Sequence, residues 1–112
     1  MTVQVAEEQE GEVLVLRIEG RLDAASSPLL EKKVNTFVDE GKLKILMNFD
    51  HVEYLSSAGM RLLLSVSKKL KSKSGKMIIA GINDEVMEVI RMAGFDHILS
   101  ISPTEGDALK SF

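Results

Sequence analysis

The residues from 44 to 49 limit the possible folds more than any other stretch, because nearly all of them are apolar. A strand with one face in water alternates apolar and polar residues, whereas a strand covered on both faces is apolar along its whole length. The stretch therefore predicts a central strand that is buried on both faces of a sheet.

Two shorter strands precede this one and are predicted to form a hairpin. Thr2–Glu7 alternates, with Val3 and Val5 on one side, as in the edge strand of a sheet. Gly11 supplies a turn, and Val13–Ile18 is rich in the residues that favour strands. Since Thr2–Glu7 lies at a sheet edge that Glu7 and Glu8 guard against pairing with another chain, we expect a monomer.

A loop is expected over Gly20–Ser27, followed by the first helix. Ser27 is the predicted N-cap, Pro28 suits the first helical position, and Gly41 suits the end. The spacing of the apolar residues predicts one buried face, made of Leu30, Val34, Phe37 and Val38.

Beyond the central strand, helices and strands alternate to the last residue. The predicted order is a connection over His51–Leu55, a helix over Ala58–Lys73, a strand over Met77–Ala80, a helix capped by Asn83, a strand over Ile98–Ile101 and a short helix opened by a capping box of Ser102 and Glu105. The inner face of the third helix is predicted to be Val86, Val89, Ile90 and Ala93. This order favours an α/β fold in which an N-terminal hairpin opens a mixed sheet with helices packed on it, as a single domain over residues 1–112.

Composition excludes several classes of function. The 112 residues include no cysteine, which rules out disulfides, thiolate metal sites and a cysteine nucleophile. A net charge of −3 without a basic stripe argues against direct nucleic-acid binding. Because there is neither a signal peptide nor an apolar run of about 20 residues, we expect no membrane contact and a cytoplasmic location.

The candidate site lies where the strands end, since functional groups of open α/β sheets gather beyond the carboxyl ends of the strands. Three segments are expected to meet there, and they carry Asp23, Asp50 and Ser57. Ser57 is expected at or beside the N-cap of the second helix, where free amides and the helix dipole suit a phosphate. The small residues Ser56, Ser57, Ala58 and Gly59 leave the backbone open to a partner protein.

Two apolar residues of the same helix extend this candidate surface. Leu62, Leu63, Val66 and Leu70 have the spacing of a core-facing stripe, whereas Met60 and Leu64 point elsewhere. They either cover a neighbouring element or form an apolar patch for a partner.

Two chemical alternatives use the same residues. A hydrolase could combine Ser57 and His51 with Asp50 or Asp23. However, the chain lacks the Gly-x-Ser-x-Gly elbow, and the neighbours Asp50 and His51 are expected to point apart at a strand end. A receiver-type domain could accept a phosphoryl group on Asp50, but that chemistry needs Mg²⁺ held by further carboxylates at the strand ends. We therefore expect a protein that is not an enzyme and uses no cofactor or metal.

The sequence from Ile45 to Met60 resembles the signature of bacterial anti-sigma factor antagonists, which are STAS domains. In that family an apolar strand leads through a valine and an aromatic residue into Asp-Ser-Ser/Thr/Ala-Gly-Leu, here Val52, Tyr54 and then Ser56-Ser57-Ala58-Gly59-Met60. The segment Gly20-Arg21-Leu22-Asp23 is similar to the family's Gly-x-Leu/Ile-Asp. The resemblance covers essentially the whole chain.

The resemblance implies a mechanism of partner switching. The unphosphorylated antagonist binds an anti-sigma factor that is also a serine kinase, which frees a sigma factor for transcription. Phosphorylation of the family's acceptor serine, which corresponds to Ser57 here, releases the antagonist. A serine phosphatase then removes the phosphate. Asp23 corresponds to a family acidic residue near that serine.

The sequence departs from the family's pattern at three positions. Ser56 stands where an Asp is common, which leaves Ser56 as an alternative acceptor, and Asn48 stands where an Asp is frequent. Ala58 lacks the second hydroxyl that some members have. Other relatives, such as transporter tails and sensor complexes, bind partners without this cycle, so an interaction scaffold without phosphorylation is the alternative function.

Overall fold

A computed structural model describes residues 3–112 and shows one five-stranded sheet. The strands are β1 Val3–Glu10, β2 Val13–Leu22, β3 Lys44–Leu55, β4 Lys76–Ala80 and β5 Ile101–Ser102. They lie in the order β1-β2-β3-β4-β5, in which β1 pairs antiparallel with β2 and every other neighbouring pair is parallel. The helices are α1 Ser27–Asp39, α2 Ser57–Ser72, α3 Asp84–Met92 and α4 Glu105–Leu109, and a 3-10 turn spans Phe95–His97.

The central strand is buried on both faces, as the apolar stretch predicts. Ile45 and Met47 belong to the main core, which also holds the buried side chains of α1, α2 and α3. Leu46 faces the opposite way into a smaller core that contains Ala108 of α4. The mixed α/β sheet with its helices is therefore confirmed.

The hairpin is confirmed, and its strands are longer than predicted. Pairing runs from Val3 with Gly20 to Glu10 with Val13, and Gly11 turns the chain with a φ of 61°. Thr2, the first residue of the predicted strand, lies outside the described residues. β1 extends past Glu7 because its backbone continues to pair with β2 although its side chains there are exposed.

Two predicted loops are wrong, because β2 and β3 extend through them together. Residues 20–22 were expected in a loop, yet Gly20 pairs with Val52 and Leu22 with Leu55. The expected connection over His51–Leu55 is the last part of β3. We call the paired ends of β2 and β3, residues 19–22 and 51–55, the β2–β3 ribbon. Backbone pairing stabilises this ribbon across two register shifts, although many of its side chains are exposed and do not follow the pattern of a buried strand.

The N-cap of the first helix lies one residue earlier than predicted. Ser26, not Ser27, occupies the N-cap, and Ser27 is the first helical residue. The Ser26 hydroxyl does not cap the helix, because it donates to the carbonyl of Arg21 at 2.6 Å. Pro28 lies in the first turn as expected, and Leu30, Val34 and Val38 form the buried face, with Phe37 half-buried.

The C-terminal elements are shifted from their predicted places. β5 is Ile101–Ser102, and Ser102 pairs with Ala80, so Ser102 is a strand residue and does not cap α4. Thr104 is the N-cap, and its Oγ1 accepts from the amide of Asp107 at 3.1 Å. The predicted capping box is therefore wrong.

The third helix has a narrower buried face than predicted. Val86 and Ile90 are buried, whereas Val89 and Ala93 are exposed. Asn83 caps the helix as expected, with its Oδ1 accepting from the amide of Val86 at 2.8 Å.

Glu105 anchors α4 to the sheet. Its Oε2 accepts from Arg17 and its Oε1 accepts from the Asn48 amide, both at 2.9 Å. Asn48 is buried, with 7% of its surface exposed, and its own Oδ1 accepts from the amide of Asp50 at 2.8 Å. A neutral amide at position 48 can donate to Glu105, which a carboxylate could not do.

Candidate functional site

The second helix begins at the tip of the long β2–β3 ribbon. β4 pairs with β3 only as far as Asn48, so the ribbon continues beyond the rest of the sheet to Leu22 and Leu55. The amide of Ser56 then donates to the carbonyl of Leu22 at 2.9 Å. This bond joins the start of α2 to the end of β2 and places residues 56–59 at the tip.

The two adjacent serines have different environments. Ser56 is the N-cap of α2, and its Oγ accepts from the amide of Gly59 at 3.2 Å. Ser57 is the first helical residue, its side chain is exposed, and it takes no part in that cap. One hydroxyl is therefore occupied by helix capping, while the neighbouring one is available to another molecule.

Gly59 allows α2 to approach the end of β2 closely. A Cβ at this position would lie 2.6 Å from Cδ1 of Leu55 and 3.0 Å from the carbonyl oxygen of Leu22. Gly59 itself is buried. Its role in binding a partner stays a prediction, and the structure shows that it packs closely against Leu22 and Leu55.

Asp23 supports the loop that leads from β2 to α1. Its Oδ1 accepts from the amides of Ala25 at 3.0 Å and Ser26 at 2.9 Å. The amide of Ser26 holds the pKa of Asp23 below its ordinary value, helped by the Ser26 hydroxyl, the Ala25 amide and the charge of Arg21 against the opposing effect of burial. Asp23 directly follows Leu22, so its loop adjoins the start of α2.

Asp50 does not join Asp23 and Ser57, contrary to the expected meeting of three segments. It lies within β3, five residues before Leu55, which is about 16 Å along an extended strand. Its neighbour is Gly81, where β4 has just ended. The two places differ because β3 extends much further than β4.

This position removes the geometric basis of the hydrolase alternative. His51 pairs across the ribbon with Glu19 and is also well before the tip, so it is not beside Ser57. Within residues 3–112, no group of three or more acidic or histidine side chains is arranged to hold a metal ion.

Met60 and Leu64 cover a neighbouring element. Both are half-buried and pack against the main core, beside the fully buried stripe of α2. That stripe is Leu62, Leu63, Val66 and Leu70, as predicted. Met60 and Leu64 therefore offer a partner only part of their surface.

Arg21 and Tyr54 form a pair that sequence reasoning missed. The Arg21 guanidinium carbon lies 4.2 Å from the centroid of the Tyr54 ring, a cation–π contact, and Tyr54 is 41% exposed. The two residues are cross-strand neighbours near the tip of the ribbon. They would have been recognised as neighbours if β3 had been predicted to reach Leu55.

The sequence and the fold both match a known family. Residues 4–108 match the model of the STAS domain. The chain belongs to the STAS domain family. The resemblance to this family, seen in residues 45–60, is thereby confirmed.

Individual relatives are similar along nearly the whole chain. BtrV of Bordetella bronchiseptica, which is named as an anti-sigma factor antagonist, is 27% identical over 100 residues that cover 89% of this chain and 86% of BtrV. The crystal structure of an anti-sigma factor antagonist from Mycobacterium paratuberculosis has a TM-score of 0.89 at 24% identity, covering 97% of this chain and 92% of that one.

A third relative has been solved in two forms. The anti-sigma factor antagonist SpoIIAA has a TM-score of 0.82 at 24% identity in its unphosphorylated form, covering 96% of this chain and 95% of SpoIIAA. Its phosphorylated form, from Bacillus, has a TM-score of 0.74 at 23% identity and covers 96% and 98%. At these identities the likeness shows a shared fold. Across residues 3–112 of the present chain, no helix is both long and apolar enough to cross a membrane.

Proposed function

We propose that this STAS domain is a cytoplasmic, monomeric anti-sigma factor antagonist that is switched by phosphorylation of Ser57. The observation that carries the proposal is the difference between two adjacent hydroxyls. Ser57 is exposed at the tip of the ribbon, whereas Ser56 is bonded to the amide of Gly59. A kinase can therefore modify Ser57 without removing the cap that starts α2.

The unmodified tip suits close docking of a partner protein. Ser56, Ser57 and Ala58 present small side chains, and Asp23, Met60 and Leu64 are partly exposed. In this proposal the tip binds an anti-sigma factor that is also a serine kinase, which releases the sigma factor. The names of the relatives and the availability of SpoIIAA in both phosphorylation states support the same mode of action.

Phosphorylation reverses the docking through charge and volume. The kinase forms a bond between Oγ of Ser57 and the terminal phosphorus of ATP, and ADP leaves. The product carries about −1.5 to −2 charge units at pH 7 where the partner met a neutral hydroxyl. The first amides of α2 accommodate the anion, so the domain need not change its fold. A serine phosphatase then restores the docking surface, and the antagonist itself catalyses no reaction.

Phosphorylation of Ser56 would first require its cap to open. Its Oγ accepts from the amide of Gly59 at 3.2 Å, so a kinase must turn the hydroxyl away from that amide, and loss of an N-cap typically costs about 1 kcal/mol. The cap therefore opposes access of a kinase to Ser56, whereas nothing comparable opposes access to Ser57.

The test combines site mapping with binding. The protein is incubated with its cognate serine kinase and ATP, and the phosphorylated residue is mapped by mass spectrometry. We expect phosphate on Ser57 of the wild type, none on Ser57→Ala, and continued phosphorylation of Ser56→Ala. Phosphate on Ser56 of the wild type would contradict the assignment of the acceptor.

The binding measurement separates the switch from the alternative of a scaffold. We expect Ser57→Asp to bind the anti-sigma factor at least about tenfold more weakly than the wild type, a loss of about 1.4 kcal/mol. Ser57→Asn is the matched control, since it has nearly the same shape without the charge. Equal binding by all three proteins, together with an unphosphorylated wild type, would favour a scaffold that lacks the switch.

A further inference from the structure

Arg61 is a cation without a partner, one helical turn beyond Ser57. It lies in α2 and its side chain is exposed. Among residues 3–112, no carboxylate lies within ion-pair distance of Arg61. The first turn of α2 also contains no acidic residue. Nothing in the described part of the chain therefore competes for this guanidinium.

Helix geometry places Arg61 on the same face as Ser57. Residues four apart on a helix have Cβ atoms about 5–6 Å from each other. Helical side chains also lean toward the N-terminus, so the long side chain of Arg61 extends back over the first turn. An acid placed four residues before a base is the favourable order for such a pair.

The spacing distinguishes the two serines. Four residues after Ser57 comes Arg61, whereas four residues after Ser56 comes Met60, which is half-buried and carries no charge. A phosphate on Ser57 can therefore receive N–H bonds from a guanidinium, and a phosphate on Ser56 has an apolar side chain at the corresponding place.

We propose that Arg61 is a positioning residue that binds the phosphate group of phosphorylated Ser57. The inference rests on the proposed modification of Ser57 and adds the group that holds its product. The guanidinium offers a planar set of donors that suits phosphate oxygens, and it favours the dianion over the monoanion. It thereby holds the charge of the phosphate over the first turn of α2, at the surface where the partner docks.

The experiment measures the ionisation of the phosphate directly. Phosphoserine is installed at position 57 during synthesis of the full chain, and its second ionisation, near pH 6 in an unperturbed phosphoserine, is followed by ³¹P NMR. We expect the pKa of this phosphate to be higher in Arg61→Gln than in the wild-type chain by about 0.3 pKa units or more. Arg61→Lys should give an intermediate pKa, because it keeps the charge and loses the planar donors.

Lys68→Gln provides the matched control. Lys68 is exposed on the same helix, three turns from Ser57, and its replacement makes the same change in net charge. We expect its phosphate to titrate as in the wild type. Equal titration of Arg61→Gln and Lys68→Gln would overturn the proposal.

A second placement of the phosphate tests the spacing argument. With phosphoserine at position 56, Arg61→Gln should leave the titration unchanged, and an equal shift at both positions would show a general field effect and refute a specific contact. Because the phosphate is installed without a kinase, these measurements are independent of the mapping experiment. A kinase that ignores Ser57 would refute the proposed function and would leave the Arg61 titration to be judged on its own result.

Discussion

Replacement of Gly59 by alanine tests the close approach that positions the start of α2. The added Cβ would lie 2.6 Å from Cδ1 of Leu55, 3.0 Å from the carbonyl oxygen of Leu22 and 3.1 Å from the Leu22 Cβ. The Leu55 methyl group can turn aside, but the backbone of Leu22 is paired with β3 and also accepts the amide of Ser56. Relief of the overlap therefore requires α2 and β2 to move apart.

The magnitude follows from two opposing terms. Forcing an extra carbon into a packed core typically costs about 1–3 kcal/mol. Alanine is favoured over glycine in a helix by about 1 kcal/mol, which offsets part of that cost. We therefore expect Gly59→Ala to reduce the free energy of unfolding by about 1 kcal/mol.

Gly106→Ala is the matched control for this measurement. Gly106 also lies in the first turn of a helix, but the nearest atom to its added Cβ is Oγ1 of Thr104 at 3.9 Å, an ordinary contact. This variant keeps the helix-propensity gain without the overlap, so it should be at least as stable as the wild type. The difference in the free energy of unfolding between the two variants should be about 1–3 kcal/mol.

Urea denaturation followed by circular dichroism measures this difference. With a slope of about 1–3 kcal/mol per molar urea for a small domain, the midpoints of the two variants should differ by roughly 1 M. If Gly59→Ala unfolds at the same urea concentration as Gly106→Ala, then the reasoning about the contact between α2 and β2 is wrong.

Two further predictions concern polar groups outside the serine pair. Asn48→Asp should reduce the free energy of unfolding at pH 7 by about 1–3 kcal/mol, because a buried donor is replaced by a carboxylate facing Glu105. In urea denaturation, the double variant that also carries Glu105→Gln should recover the lost stability. If it does not, the contact between positions 48 and 105 is not the cause. Asp23 has a lowered pKa in the folded protein, so its contribution to stability is present above its ordinary pKa of about 4 and is lost as the pH falls through the folded value. The stability advantage of the wild type over Asp23→Asn should accordingly be constant from about pH 5 upward and shrink below about pH 4, and an advantage that grows on acidification would contradict the bonding from Ser26.

The order of the strands and helices could be predicted from local patterns. The apolar stretch around Leu46 indicates a strand buried on both faces, and the spacing of Leu62, Leu63, Val66 and Leu70 indicates one face of a helix. Such patterns are readable because burial selects apolar residues at the period of each element. The α/β class, the hairpin and the main core followed from them directly.

The ends of the elements could not be predicted in the same way. The last part of β3 carries exposed residues such as His51 and Glu53, and its strand form depends on backbone pairing with β2. Backbone hydrogen bonds are common to all residues, so they leave little trace in the sequence. This is why Asp50 was expected near Ser57 although it lies well before the tip.

The serine pair shows the same division between local and tertiary information. Ser-Ser-Ala-Gly by itself indicates a capped helix start with small side chains, and it makes both hydroxyls candidates for the cap. The bond from the amide of Ser56 to the carbonyl of Leu22 sets where α2 begins, and it belongs to two segments separated by more than thirty residues. The sequence therefore determined that a serine would cap this helix, and only the packing of α2 against β2 decided that Ser56 is the cap and Ser57 the exposed hydroxyl.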